Sequence, residues 1–271
     1  MLYSFELLFT TFIAFSIFGW VYEVIWTLIQ DRKLVNRGFL NGPYCPIYGA
    51  GSILLIALQI FTTRPVELFF LGGLVCCTLE YIVSFSMEKI FKARWWDYKK
   101  YPFNINGRVC LYGFLVFGAF SVILSHIYPP FVQIIKSIPT MPLHIACAVV
   151  FILFVLDIIS STSAIVHLNR MLKEYQKQLK HNGFVRLISD RSRKLIMFLT
   201  RDNRYARAFS KQQKRIIKAF PRFRSTKYQE ALESLSKASK EMRKKYKETK
   251  HQPEIVITEK DIKHHAKGGK K

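Results

Sequence analysis

Acidic residues are scarce in this 271-residue chain: 18 Asp and Glu stand against 41 Lys and Arg, a formal net charge of +23. Cysteine is sparse too. Cys45, Cys76, Cys77, Cys110 and Cys147 lie in or beside apolar stretches, and none is spaced with a histidine as a metal ligand would be. They read as small packing residues, implying neither a disulfide framework nor a zinc site. A phosphate-cradling loop needs Gly-x-x-x-x-Gly-Lys followed by Ser or Thr. The chain has none, and Gly268-Gly269-Lys270 has nothing behind it to build on. Gly-x-Ser-x-Gly and His-Glu-x-x-His are missing as well. Soluble-enzyme chemistry is therefore unsupported, with no catalytic, cofactor-binding or metal-binding residue to name. If ATP powers this protein, a separate chain must hydrolyse it.

What is present is a strong asymmetry. Residues 1–168 carry 11 basic and 8 acidic side chains, whereas residues 169–271 carry 30 and 10. The first part reads as an all-α, polytopic membrane domain. The second reads as a basic cytoplasmic helical tail, 169–250, followed by a Lys-rich end, 251–271, expected to be disordered. About 20 apolar residues cross the hydrocarbon as a helix. Five stretches are expected to do so: about 7–29, 45–61, 66–91, 109–128 and 144–168. The second is short unless Tyr44–Pro46 also lie at membrane depth. Residues 1–6 hold no Lys or Arg, so the first stretch is expected to be a resident helix rather than a cleaved leader.

Loop charges predict the orientation. Arg32, Lys33 and Arg37 occupy the first loop, and Lys92, Arg94, Lys99, Lys100 and Arg108 the third. The second loop has only Arg64 and the fourth only Lys136. Basic residues collect on the cytoplasmic side, which puts loops one and three and the tail inside and the N-terminus outside. Trp20, Trp26, Trp95 and Trp96 are expected along the inner boundary.

A carboxylate at bilayer depth costs about 2.5–3.5 kcal/mol on insertion scales, so Glu23, Glu80 and Asp157 each need a reason. Ser16, Gly19 and Thr27 share a face with Glu23; Ser84 and Glu88 follow Glu80 at successive fours; Ser160, Ser161 and Ala164 accompany Asp157. Such small and polar stripes suit close helix packing. They predict that helices one, three and five turn toward a shared polar cavity or translocation path lined by Glu23, Glu80, Asp157, Ser84 and Glu88. The structural alternative has these acids protonated, or paired with Arg37, Arg94 or Arg108 near the inner mouth.

Residues 36–51 hold four glycines and two prolines and cannot continue as a plain helix. A re-entrant or broken start to helix two is expected, with protein or trapped water satisfying the backbone. Arg37, Gly38, Gly42 and Pro43 in this loop, with Arg94, Asp97, Asn106 and Arg108 in the third, form the expected inner-mouth charge network and loop motifs. Arg94 and Asp97 are spaced to pair. Five strings occur in order: Phe18-Gly19-Trp20-Val21-Tyr22-Glu23, Arg37-Gly38-Phe39-Leu40-Asn41-Gly42-Pro43, Pro46-Ile47-Tyr48-Gly49, Arg94-Trp95-Trp96-Asp97-Tyr98 and Asn106-Gly107-Arg108-Val109-Cys110-Leu111. Together they resemble the putative ABC-transporter type IV family of bacterial membrane proteins, over about residues 5–165. The resemblance implies a permease of the cell membrane.

Helix five is expected to continue past Asn169 through Tyr175. Phe184, Leu187, Ile188, Leu195, Phe198 and Leu199 then recur at helical spacing among Arg186, Arg191, Arg193 and Lys194, as in a basic amphipathic helix lying on the inner interface. Asp202-Asn203 offers a turn or cap, and Ser225 or Thr226 another helix start. Tyr228, Ala231, Leu232, Leu235, Ala238, Ser239, Met242 and Tyr246 form a narrow stripe suited to docking a partner.

These readings converge on a transport permease subunit, cargo unknown, without an ATPase motif of its own. Its expected partners are anionic lipid headgroups at the tail, where each basic residue near the surface is worth about 1 kcal/mol, and a separate ATPase on the inner loops and tail. Further copies of the chain are expected too, since five spans enclose little volume. Nucleic acid is not expected. Two other classes stay open. One is an ATP-independent protein using Glu23, Glu80 and Asp157, either an ion-coupled carrier or an intramembrane enzyme acting on lipid-linked substrates. The other is a non-catalytic scaffold or regulator acting through the basic tail.

Overall fold

Lipid offers the backbone no partner, so each long apolar stretch closes its own hydrogen bonds as a helix. The structure, a computed structural model, describes residues 2–32, 34–186, 211–220 and 223–234. Four of its helices are long and apolar enough to cross a membrane: α1 (Leu2–Asp31), α3 (Pro65–Phe91), α4 (Leu111–Ser137) and α5 (Thr140–Arg186). Side chains such as Phe70 and Ile82 on α3 and Ile145, Ile152 and Leu156 on α5 are exposed, as lipid-facing residues are. The chain is an all-α, multi-pass membrane protein.

Between α1 and α3 lies α2 (Pro46–Leu58), of 13 residues. That is about 20 Å at 1.5 Å per residue, short of the ~30 Å hydrocarbon layer. The second expected span is therefore not a complete helix. Pro46 sits in its first turn, where a missing N–H costs nothing. The extended residue before it, Cys45, donates its amide to the Ser16 carbonyl at 2.8 Å, and Ser16 is about 22 Å along α1 from its Asp31 end. Residues 34–45, the lead-in segment, thus run in among the helices before α2 begins.

Helices α3 and α4 pack through glycine. A Cβ on Gly118 would stand 2.6 Å from the Phe69 carbonyl oxygen, and one on Gly73 2.9 Å from that of Phe114. Close approach depends on their missing side chains. Gly118→Val is expected to cost about 1–3 kcal/mol by overpacking, read as a lower melting temperature in mild detergent. An unchanged melting temperature contradicts this contact. Beyond it, α4 runs past the expected end near Tyr128, straight through Pro129 and Pro130. In lipid no competing partner draws the chain out of the helix, so the two prolines are carried within it.

The described part of the tail packs against the membrane domain. Helix α5 extends to Arg186, and α6 (Lys211–Ala219) folds back against it. Strand β1 (Ala93–Arg94) pairs antiparallel with β2 (Arg224–Ser225), Ala93 opposite Ser225. One apolar cluster joins Phe91, Trp95, Leu168, Leu172, Ile216 and Phe223. Trp95 is 2% exposed, buried in this cluster rather than resting at an interface. Ser225, expected as a helix start, lies in β2 instead; its Oγ accepts the Tyr228 amide at 3.0 Å in the turn ahead of the helical residues that begin at Gln229. Tyr228, Ala231 and Leu232 pack into the cluster, so the described start of the docking stripe is covered by the chain itself. The rest of that stripe lies outside the described residues, as do the basic amphipathic stretch beyond Arg186, Asp202-Asn203 and residues 251–271.

Candidate functional site

The lead-in segment, the loop between α3 and α4, and the described tail meet at one end of the helices. Four groups of polar side chains form there. In the first, Glu23 of α1 accepts the Tyr48 hydroxyl at 2.7 Å, and its other oxygen faces Arg37 Nη1 at 3.5 Å. In the second, Glu80 of α3 accepts the Tyr98 hydroxyl at 3.0 Å. Glu80 is 7% exposed, and its Oε2 has no hydrogen-bond partner among the described residues. Tyr98 links the two. Burial, then the negative charges of Glu80 and Glu23, push its hydroxyl well above the ordinary tyrosine range. Two intramembrane acids and two tyrosines thus share one interior nest.

Asp157 has partners of its own. Its Oδ1 accepts the Asn41 amide, Asn41 Nδ2 and Ser161 Oγ, each at 3.0 Å; its Oδ2 accepts the Gly42 amide at 2.8 Å and the Tyr44 hydroxyl at 2.7 Å. A carboxylate halfway along a membrane helix is held here by the irregular backbone that needed an acceptor, so each solves the other's desolvation problem.

The fourth group fastens the α3–α4 loop. Arg108, 7% exposed, donates to Ser84 Oγ at 3.0 Å and to Glu88 Oε2 at 2.7 Å, and lies over the Tyr81 and Phe85 rings. Arg94 reaches the same Glu88 oxygen at 3.2 Å and the Asn106 carbonyl at 3.3 Å. Asn106 and Gly107 turn the loop with positive φ, Asn104 Oδ1 accepts the Gly107 amide, and Asp97 Oδ1 accepts the Lys99 amide. Of the remaining candidates, Gly38 offers its carbonyl to Arg215 and Pro43 is exposed.

Sequence reasoning passed over several of these groups. Tyr48 and Tyr98 carry no charge to flag them. Arg215 of α6 donates to the Gly38 and Phe39 carbonyls, each at 2.9 Å, and burial draws its guanidinium below its ordinary value despite the Asp157 charge. At the opposite end, Glu6 of α1 pairs with His144 of α5. An acid near the first residues of an apolar run was the available signal.

The family model described as putative ABC-transporter type IV matches residues 10–162, a stretch that holds all four groups, whereas Arg215 lies beyond it. No curated protein and no solved structure matches the chain. The five strings of loop and helix residues that build this end of the molecule lie within the matched stretch, and the chain belongs to the putative ABC-transporter type IV family.

Proposed function

We propose that the protein works as a permease-type subunit of the cell membrane, with Glu23 and Glu80 as the polar point of its pathway. In this reading the lead-in segment and α2 together make the second of five crossings. The end bearing Arg37, Arg94 and Arg108 faces the cytoplasm, following the bias of Lys and Arg toward that side. One observation carries the proposal. Two acids within membrane-spanning helices are each hydrogen-bonded by a tyrosine from another element, and one of them keeps an oxygen with no hydrogen-bond partner among the described residues. Intramembrane acids facing a protein interior in this way mark ion and substrate routes.

An ATPase partner would meet the loop between α3 and α4, whose tip presents Phe103 at 81% and Ile105 at 62% exposure. Photo-crosslinking residues placed at positions 103 and 105 of the full chain, in its own membranes, test this. Capture of an ATPase subunit at both positions is expected. No ATPase, together with a cation flux in proteoliposomes that Glu23→Gln and Glu80→Gln abolish, would replace the permease reading with an ATP-independent carrier.

A further inference from the structure

The described tail does more than cover an apolar patch. Arg215 grips the carbonyls of Gly38 and Phe39, next to Arg37, whose side chain faces Glu23 and whose own carbonyl accepts the Cys45 thiol at 3.2 Å. Gln212 donates to Ser161 Oγ at 2.9 Å, and Ser161 in turn donates to Asp157. Gln213, 1% exposed, reaches the Ala164 carbonyl at 3.0 Å. Farther along, Thr226 donates its amide and its hydroxyl to the Lys92 carbonyl, both at 2.9 Å, and Phe220 and Phe223 meet the Trp95 ring edge-on. The tail therefore touches both supports of the lead-in segment, its own carbonyls and the Asp157 anchor.

We propose that residues 211–220 and 223–234 form a detachable clasp that holds the lead-in segment in place and so controls aqueous access to the Glu23–Glu80 nest. Its parts are individually weak. A helix of nine residues is marginal in water without packing, and a two-residue strand pair does not stand alone. Burial of Arg215 requires the two carbonyls it caps. Such elements open locally well below the cost of global unfolding. The clasp, by contrast, ties helix, strand and aromatic contacts together, so release of one contact loosens the rest. The interpretation of the nest as the pathway's polar point comes from the preceding proposal, but the clasp itself rests on these contacts alone.

Cys45, buried at the start of α2, is a native reporter. The full chain would carry Cys76, Cys77, Cys110 and Cys147 replaced by Ala, and the labelling rate of Cys45 by a water-soluble maleimide would be read by mass spectrometry of its peptide. Arg215→Ala is expected to raise that rate at least tenfold over the Arg215 parent. Because Arg215→Ala can perturb folding, a tether provides the second arm. The Thr226 amide bonds to the Lys92 carbonyl, which makes Ala93 and Ser225 a non-hydrogen-bonded pair, with Cα atoms about 4.5 Å apart and within disulfide reach. In an Ala93→Cys, Ser225→Cys variant, oxidation is expected to slow Cys45 labelling at least tenfold relative to the same protein reduced. Equal Cys45 rates in the oxidised and reduced tether overturn the clasp, whatever Arg215→Ala does. If the nest conducts nothing, the labelling contrast still stands and only the pathway reading fails.

Discussion

Asp157→Ala is expected to lower stability by about 3–5 kcal/mol, because the Asn41 and Gly42 amides and the Tyr44 hydroxyl lose their acceptor at about 1–3 kcal/mol each. The lead-in segment has no ladder of its own to fall back on. Its irregular backbone is held between α1 and α5, by the Ser16 carbonyl on one side and the Asp157 carboxylate on the other. Asp157→Asn retains one carbonyl oxygen but turns an NH2 group toward donors, and should lose about half as much. Thermal unfolding in mild detergent reads both. A wild-type melting temperature for Asp157→Ala would mean that the segment is held elsewhere, and Asp157 would return to the list of groups available to a pathway.

The second large effect falls on Arg108. Removing one partner of a buried ion pair costs about 3–5 kcal/mol, whereas replacing both with apolar residues of similar volume is often neutral. Arg108→Ala leaves Glu88 with only Arg94 and strands Ser84 Oγ, so a drop of that size is expected. Arg108→Met combined with Glu88→Leu should recover only part of it, since the methionine fills the space over the Tyr81 and Phe85 rings but Arg94, which shares the Glu88 oxygen, then keeps only the Asn106 carbonyl. A double variant less stable than Arg108→Ala would show that the charges do more than close the loop onto α3.

Much of this was legible because lipid simplifies the problem. Long apolar runs become helices wherever they fall, and scarce charges stand out against them. The glycines and prolines of residues 36–51 foretold a broken start to α2 for the same reason: no such composition sustains a helix. Three intramembrane acids were picked out by cost alone. Their partners were not, since hydrogen bonding to Asp157 comes from backbone amides and a tyrosine that look alike in any sequence. Spacing along the chain could not show that Arg94 reaches back to Glu88, because that contact needs the reversal after Lys92, with positive φ, which brings the end of α3 beside it.

Tail docking was the least visible feature. Net charge described residues 169–271 as one basic block, and charge is a property of the surface they present. The contacts that fix α6 are made by Gln213, Ile216 and Ala219, with Arg215 used as a hydrogen-bond donor rather than as a countercharge. The Tyr228, Ala231 and Leu232 stripe, expected to dock a partner, packs instead against the membrane domain of the same chain over its described residues.

The permease reading depends on Glu23 and Glu80 facing protein instead of acyl chains. Nitroxide labels at positions 23 and 80 in the full chain, reconstituted in bilayers, measure that through their exposure to lipid-dissolved oxygen, with labels at the exposed positions of Ile25 and Ile82 as references. The expected result is markedly lower oxygen accessibility at 23 and 80 than at 25 and 82. Equal accessibility at all four positions would place both acids against lipid and remove the nest.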